Sequence, residues 1–505
     1  MGLEAVLHAA WEGLRLVVTW PNILYPVLAT FVAMVFALLP GLSGHTLLAL
    51  AVTLTLTWDP LHVMLVFGAL VGAATYMGSV SAILFNVPGS AASAATLIDG
   101  HPLARQGQAR TALGAAALSS ALGSTFGVLV LVLLIPFMRR AVLAVGAPEL
   151  LMLTVWGLAT LVVITRASLV KGLAMAGGGL LLSFVGQDPR TGEARYTLGL
   201  PYLWDGLALA PVLLGVFSVA EMIDLFASGR RTVSGRTRAE ELGGSARAGM
   251  RAVFRHFPLL LRSSAIGTVI GIVPGLGGTV ASFVAYARAA RSARDGGRFG
   301  SGDIRGVIAP EASHDAKDGG SLVPTLAFGI PGNEGTALLL AALVLHGLPP
   351  GRELMTSHLS LVFVLVWSLF LSNWLTSIVG LASVRGLARL TILPTAHLVP
   401  VVFTAAALGA YIHEARMADV FVVFLFGIAG YYLKKHGWPR IALVIALTLG
   451  GLFEANFHIT ARLASLGRLD VWSRPLVLAL VVFTLCDLAL PWLGRRRAPS
   501  TPGAA

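Results

Sequence analysis

Charge is scarce in this chain. Of 505 residues only 12% are Asp, Glu, Lys or Arg, against 56% hydrophobic, whereas a soluble domain carries about 25% charged residues. The deficit runs over nearly the whole length, which excludes a soluble protein held by one anchor. Cysteine is nearly absent too. Cys486 alone permits no intrachain disulfide and no cysteine metal cluster. There is no His-Glu-x-x-His and no Cys-x-x-Cys. The run Pro274-Gly275-Leu276-Gly277-Gly278 looks superficially like a phosphate loop but lacks the Gly-Lys-Ser/Thr that would follow, so ATP hydrolysis is not expected. Residues 1–20 lack the basic start and compact apolar core of a cleaved leader. Glu4, His8, Glu12 and Arg15 are spread there in a helical pattern, which predicts an amphipathic helix on the membrane surface.

What is present is a succession of apolar windows between Ile23 and Trp492, each near the roughly 20 residues that a spanning helix needs. They predict an all-α polytopic membrane protein of about 10–14 transmembrane or half-spanning helices. The net charge of +12 does not point to nucleic acid, because the basic residues sit mostly between windows, as in cytoplasmic loops. The most polar connection, 228–255, holds seven arginines against Glu240 and Glu241 and divides the chain into similar halves. The expected organisation is the amphipathic helix 1–20, a first membrane repeat 21–227, a basic cytoplasmic linker 228–255, a second repeat with C-terminal helices 256–493, and a disordered cytoplasmic tail 494–505. Arg139-Arg140, Arg385 with Arg389, Lys434-Lys435 and Arg495-Arg496-Arg497 are also expected to be cytoplasmic.

The window Phe257–Tyr286 is basic on both sides, with Arg288, Arg291, Arg294, Arg298 and Arg305 following it. Both flanks should then be cytoplasmic, yet about 30 residues cannot cross twice as full helices at about 1.5 Å per residue. Two half-helices meeting at Pro274–Gly278 would enter and return. Proline ends the first by removing a donor, and the glycines let backbone approach a ligand. A kinked spanning helix with a misjudged return is the competing reading.

Such interrupted segments at matching places in two halves point to a transporter site, because non-helical backbone at membrane depth survives only when it is buried or lines a cavity. The first half carries Ser79, Ser81, Asn86 and Pro88-Gly89-Ser90; the second carries Pro274, Gly275, Gly277, Gly278 and Thr279, then Pro331-Gly332-Asn333. Aligning the two Pro-Gly pairs also superposes Ser93 on Thr336, Ala94 on Ala337 and Leu97 on Leu340. The basic loop Arg105–Arg110 follows the first pair, and a nearly neutral loop follows the second, as inverted repeats would have it. Unpaired N–H groups and the positive dipole end at a helix start suit a carboxylate, with Ser90 and Asn333 capping or donating. The competing reading is that proline and glycine break the helices and small residues allow close packing.

Charged residues within apolar surroundings are functional suspects. Glu311, His314, Asp315, Lys317 and Asp318 cluster before Leu322 and are read here as a cytoplasmic loop or helix end; Glu221, Asp224, Glu454 and Asp487 are read as interfacial or paired with arginines. For a coupling cation two readings stand. Sodium would use the backbone carbonyls of Ile272, Val273 and Gly329 just before the breaks; no other metal is expected. A proton would use Glu311, His314 or Asp315.

With these motifs in place the chain resembles the large membrane (permease) subunit of the tripartite tricarboxylate transporter family. The strongest stretches are Tyr76–Gly114, Gly267–Tyr286, Gly306–Pro350 and Phe426–Pro475; the last contains Phe426-Gly427, Gly430-Tyr431, Lys434-Lys435, Gly437-Trp438-Pro439 and Arg474-Pro475. One departure is plain. The family usually reads Glu-Ala-Ala-Asn-Asn-Ala where this chain has Glu311-Ala312-Ser313-His314-Asp315-Ala316, so a titratable pair replaces two asparagines. The resemblance implies an elevator-like fold of two inverted repeats with re-entrant hairpins in a bacterial inner membrane. It implies two partners, a small membrane subunit of about four helices and a periplasmic solute-binding protein. It also implies uptake of di- and tricarboxylates driven by a cation gradient (Na+ or H+), with no organic cofactor. An intramembrane enzyme using Glu311, His314 and Asp315, or a passive anion channel, are the alternatives from other classes.

Overall fold

The computed structural model describes residues 3–38, 44–86, 88–164, 169–188, 191–227, 243–274, 276–293, 298–390, 395–414, 416–466, 470 and 473–494. Gly275, most of the basic linker, and the tail after Gly494 lie outside the described residues. The helices are α1 (Leu3–Val18), α2 (Leu24–Leu38), α3 (Gly44–Leu54), α4 (Pro60–Phe85), α5 (Ser93–Leu103), α6 (Ala109–Ala144), α7 (Ala147–Ile164), α8 (Leu169–Ser183), α9 (Leu209–Leu213), α10 (Ala220–Ala227), α11 (Ala246–Arg255), α12 (Phe257–Ile272), α13 (Gly277–Ser292), α14 (Arg305–Phe328), α15 (Glu334–Leu345), α16 (Arg352–Thr356), α17 (Leu359–Leu390), α18 (Thr395–Glu414), α19 (Met417–Lys435), α20 (Arg440–Ser465) and α21 (Pro475–Gly494). One antiparallel pair, Gly186–Gln187 with Ala194–Arg195, supplies the strand content of the described residues. Among the described residues, six helical runs are long and apolar enough to cross a membrane, and seven shorter apolar helices accompany them. The protein is an all-α polytopic membrane protein.

Two compact units form: residues 1–142 with 208–432, and residues 143–207 with 433–505. In the second, Arg474 grips the Glu149 carboxylate at 2.6 and 2.8 Å, and Arg195 pairs with Glu454 at 2.6 Å and Asp188 at 3.2 Å. The arginine partner expected for Glu454 is therefore present. Lys171 donates to the His436 carbonyl at 2.7 Å and lies over Trp438.

The first unit is built around α14. Gly123 and Gly127 of α6 press on the backbone of Ala312 and Ala316, while Gly267 and Gly271 of α12 press on that of Ser313 and Lys317; a Cβ at any of the four would overlap α14 backbone. Without side chains between them, these helices pack at backbone contact. The amphipathic helix α1 lies along α17, where Trp367 donates to the Ala10 carbonyl at 2.9 Å. Its other face leaves Leu7 and Trp11 exposed, as a surface helix requires.

The hairpin expected from the basic flanks is present. The helices α12 and α13 hold 16 residues each, about 24 Å, short of the roughly 30 Å hydrocarbon core. Both flanks return to the same loop. Arg110 N donates to the Gly243 carbonyl at 3.0 Å and Ser245 N to Thr111 Oγ1 at 3.2 Å, before the hairpin. After the hairpin, Gln106 Nε2 donates to the Ser301 carbonyl at 2.7 Å. One expectation fails. Arg110 and Arg139-Arg140 lie near opposite ends of a single 36-residue helix, α6, more than 40 Å apart at about 1.5 Å per residue. They cannot both face the cytoplasm, because a continuous helix of that length carries its ends to opposite sides.

Candidate functional site

The two Pro-Gly breaks are constructed alike. Helix α4 ends on Asn86 in the left-handed region (φ 58°) and α14 ends on Gly329 there (φ 68°); asparagine and glycine are the residues that tolerate it. In each break the chain then folds back on its own helix. Gly89 N donates to the Gly78 carbonyl at 3.1 Å, and Gly332 lies against Ser321, at the same spacing along the chain. A polar residue stands at the start of the next helix. Ser90 Oγ accepts from Ser93 N at 3.3 Å, and Asn333 Oδ1 accepts from Thr336 N at 3.0 Å within a full capping box. Asn333 Nδ2 also donates to Ser321 Oγ at 3.0 Å. Asn333 therefore caps its own helix, while Ser90, just ahead of α5, bonds Ser93, and the α5 N-cap Ala92 makes no side-chain cap.

The third break, at α12–α13, has Pro274 buried and Gly277 at φ 64°. Ile272 closes α12, the Val273 carbonyl accepts from Leu276 N at 3.4 Å, and Thr279 is half-buried. Gly278 faces α14: a Cβ there would stand 2.8 Å from Lys317 Cε and 3.0 Å from His314 Nε2.

All three breaks converge on α14, and here a second expectation is corrected. Glu311, His314, Asp315, Lys317 and Asp318 are not a loop or a helix end. They lie inside α14, each 7% exposed or less. Residues three, four and seven apart share a helix face. Glu311, Asp315 and Asp318 form one stripe, and His314, Lys317 and Ser321 the adjoining one, about 90° round the helix. The acidic stripe meets the first break. Glu311 Oε1 accepts from Ser79 at 2.6 Å and from Thr96, while Ser81 turns back to the Gly78 carbonyl at 2.9 Å. The second stripe meets the hairpin tip through Gly278 and the second break through Ser321 and Asn333. Lys317 Nζ is paired with Asp318. Asn86 and Pro88 are exposed.

Asp99 on α5 was not among the expected site residues. Fully buried, it accepts from Gly300 N, Gly302 N and Asp303 N at 2.8, 2.8 and 3.0 Å and from Tyr286 Oη at 2.9 Å. The available signal was a lone carboxylate in the apolar stretch after the first break. Beside it, burial acts to raise the Asp303 carboxyl, but hydrogen bonds and charge from Arg305 (2.7 Å) outweigh that and hold it below the usual carboxylate range.

Half-helices broken over a buried, charged central helix, in a multi-pass α-helical protein, place the chain among membrane transporters. Residues 23–445 match the tripartite tricarboxylate transporter TctA family, and the chain belongs to that family. It is 31% identical over 447 residues, 88% of each chain, to an uncharacterized 52.8 kDa protein in the TAR-I ttuC' 3'region of Agrobacterium vitis. It is 30% identical over 192 residues, 38% of this chain and 79% of the relative, to an uncharacterized protein in the TAR-II ttuC' 3'region of the same organism. No solved structure matches.

Proposed function

We propose that the chain is the permease subunit of a binding-protein-dependent secondary transporter that imports small organic di- or tricarboxylates by cation symport. In this reading it sits in a bacterial inner membrane as an elevator-like carrier of two inverted repeats. A periplasmic solute-binding protein and a small membrane subunit of about four helices are its partners. The carrying observation is that two similarly built breaks and the hairpin tip meet adjoining faces of one buried helix, one bearing Glu311 and the other Lys317 and His314.

The substrate carboxylate belongs, in this proposal, on the second face. Amide groups opening α13 (Gly277, Gly278, Thr279) favour an anion through unpaired N–H groups and the dipole, and the Lys317–Asp318 ion pair lies beside that turn. Pro331, Gly332 and Asn333 are assigned to that side, and Ser79, Ser81, Gly89 and Ser90 to the other. Accumulating an anion against an inside-negative potential costs about 2.3 kcal/mol per charge per 100 mV, so a dianion needs more than two cations per cycle for net inward charge. The coupling carbonyls of Ile272, Val273 and Gly329 and the Glu311 carboxylate are assigned to that step.

The test is uptake into proteoliposomes holding this chain, the small subunit and loaded binding protein, with an imposed sodium gradient and then an imposed pH gradient. Accumulation above equilibrium supports the carrier. Flux without accumulation means a channel, and conversion of the carboxylate without movement means an enzyme; either outcome overturns the proposal.

A further inference from the structure

Beside Glu311 on the acidic stripe lies Asp315, whose environment the breaks do not explain. It is fully buried, between α4 and α6. Thr75 on α4 and Ser120 on α6 bring hydroxyls to its carboxylate, yet neither Asp315 oxygen, nor Ser120 Oγ, closes a hydrogen bond of ordinary geometry. The Thr75 hydroxyl has its hydrogen on the Gly72 carbonyl at 3.2 Å, which leaves its lone pairs directed elsewhere. One turn away, Glu311 Oε2 is likewise buried without a hydrogen-bond partner. The charged neighbours of Asp315 are Glu311, Lys317 and Asp318, and the one cation among them, Lys317, is engaged by Asp318.

Two carboxylates on adjacent turns repel, and burying them unpaired is costly. Hydroxyl groups free to donate would normally close onto a carboxylate at about 2.5–3.0 Å. Oxygens that stand around a carboxylate without sharing a hydrogen suit a common cation instead. The named ligands, two carboxylates and two hydroxyls, are all hard oxygens, which selects alkali or alkaline-earth ions over transition metals.

We propose that Asp315, Thr75 and Ser120, with Glu311 alongside, bind one dehydrated monovalent cation, sodium, between α4, α6 and α14. This deepens the cation-coupling reading and moves the ion from the break carbonyls to a side-chain site beside the first break. Because Thr75 belongs to the helix that ends in the first break and Asp315 to the helix that ends in the second, the bound ion ties the two together.

The experiment uses the purified full chain in detergent and follows thermal unfolding against sodium, with potassium and choline replacing it at constant ionic strength. Sodium should raise the melting temperature in a saturable way that potassium does not reproduce. Ser120→Ala should shift the sodium midpoint upward by about tenfold or more, and Asp315→Asn should abolish the response. Should Asp315→Asn fail to fold, Ser120→Ala and Thr75→Val carry the test. Equal responses to sodium and potassium, or an unchanged sodium midpoint in the hydroxyl variants, would overturn the assignment. A response to pH alone, lost in Asp315→Asn, would make this a proton site and overturn it equally. No transport is measured, so sodium binding without uptake would refute the carrier and leave the site standing.

Discussion

Replacing Asp99 offers the sharpest test of how the hairpin is fastened. Its carboxylate accepts three backbone N–H groups and one phenol across a sequence gap of about two hundred residues, holding the 298–304 turn against α5. Hydrogen bonds to a charged group contribute about 1.5–3 kcal/mol each, and a buried donor left unpaired costs about 1–3 kcal/mol. The sum over four bonds overstates the effect. Gly300 is exposed and Gly302 and Asp303 are only half-buried, so water can replace part of what is lost. Asp99→Ala should therefore destabilise by about 2–4 kcal/mol. Asp99→Asn keeps one acceptor oxygen for the N–H groups, and the Tyr286 hydroxyl can rotate to accept from the amide; its cost should be nearer 1–2 kcal/mol, roughly the loss of charge assistance. Limited trypsin digestion reads the turn directly, because cleavage after the exposed Arg298 requires local release. Cutting at Arg298 should accelerate in the order wild type, Asn, Ala, with melting temperature falling in the same order. An Ala variant with unchanged cleavage at Arg298 and unchanged melting would refute the argument that Asp99 fastens this turn.

Four further outcomes are expected. Asn333→Ala removes the cap of α15 and should cost about 0.5–2 kcal/mol in thermal unfolding, with Asn333→Asp, which keeps the acceptor, recovering part of it. Gly271→Val drives a side chain into the backbone of Lys317 and should cost well over 1 kcal/mol through overpacking, seen as a lower melting temperature. Because the folded Asp303 carboxyl is held low, the stability it contributes is full above its unfolded range near pH 4 and is lost as pH falls through the lower folded value; Asp303→Asn should flatten that part of the acid melting profile. In a Cys486→Ser background, cysteines at Ser245 and Ser292 should react with an impermeant thiol reagent from the same side of sealed vesicles, and labelling from opposite sides would dismantle the hairpin.

The breaks were legible in the sequence because their chemistry is local. Proline removes a donor and glycine accepts a positive φ wherever they occur, so Pro88-Gly89, Pro274 and Pro331-Gly332 marked helix ends without any knowledge of neighbours. The match of Ser90 to Asn333 and Ser93 to Thr336 was also legible, though its use is in local hydrogen bonds at the helix starts. Asp99 could not be read in the same way, since its partners lie near residues 286 and 300–303 and nothing local announces them. Arg110 and Arg139-Arg140 could not both be read by one charge rule, for a related reason. A basic pair signals the cytoplasm only on average, whereas the length of α6 is a geometric constraint.

The middle of α14 is the most instructive misjudgement. Hydropathy averaged over a window treats Glu311, His314, Asp315, Lys317 and Asp318 as one polar patch and assigns it to water. Taken by helical period, the same residues separate into an acidic row at 311, 315 and 318 and a second row at 314, 317 and 321. A solvated loop has no reason to sort its charges by face. A helix surrounded on all sides does, because each buried charge must meet its own partners: Ser79 and Thr96 on one side, the Gly278 turn and Asn333 on the other. Both rows are buried. Their partners also explain why α14 tolerates so little hydrophobic surface. Its contacts with α6 and α12 are backbone to backbone through glycine, which leaves the side chains of the two stripes to face the breaks. A helix held by its backbone and read by its side chains is well placed to respond to an anion at one row and a cation at the adjoining one, and the two bound charges would then stabilise each other across neighbouring faces of a single helix.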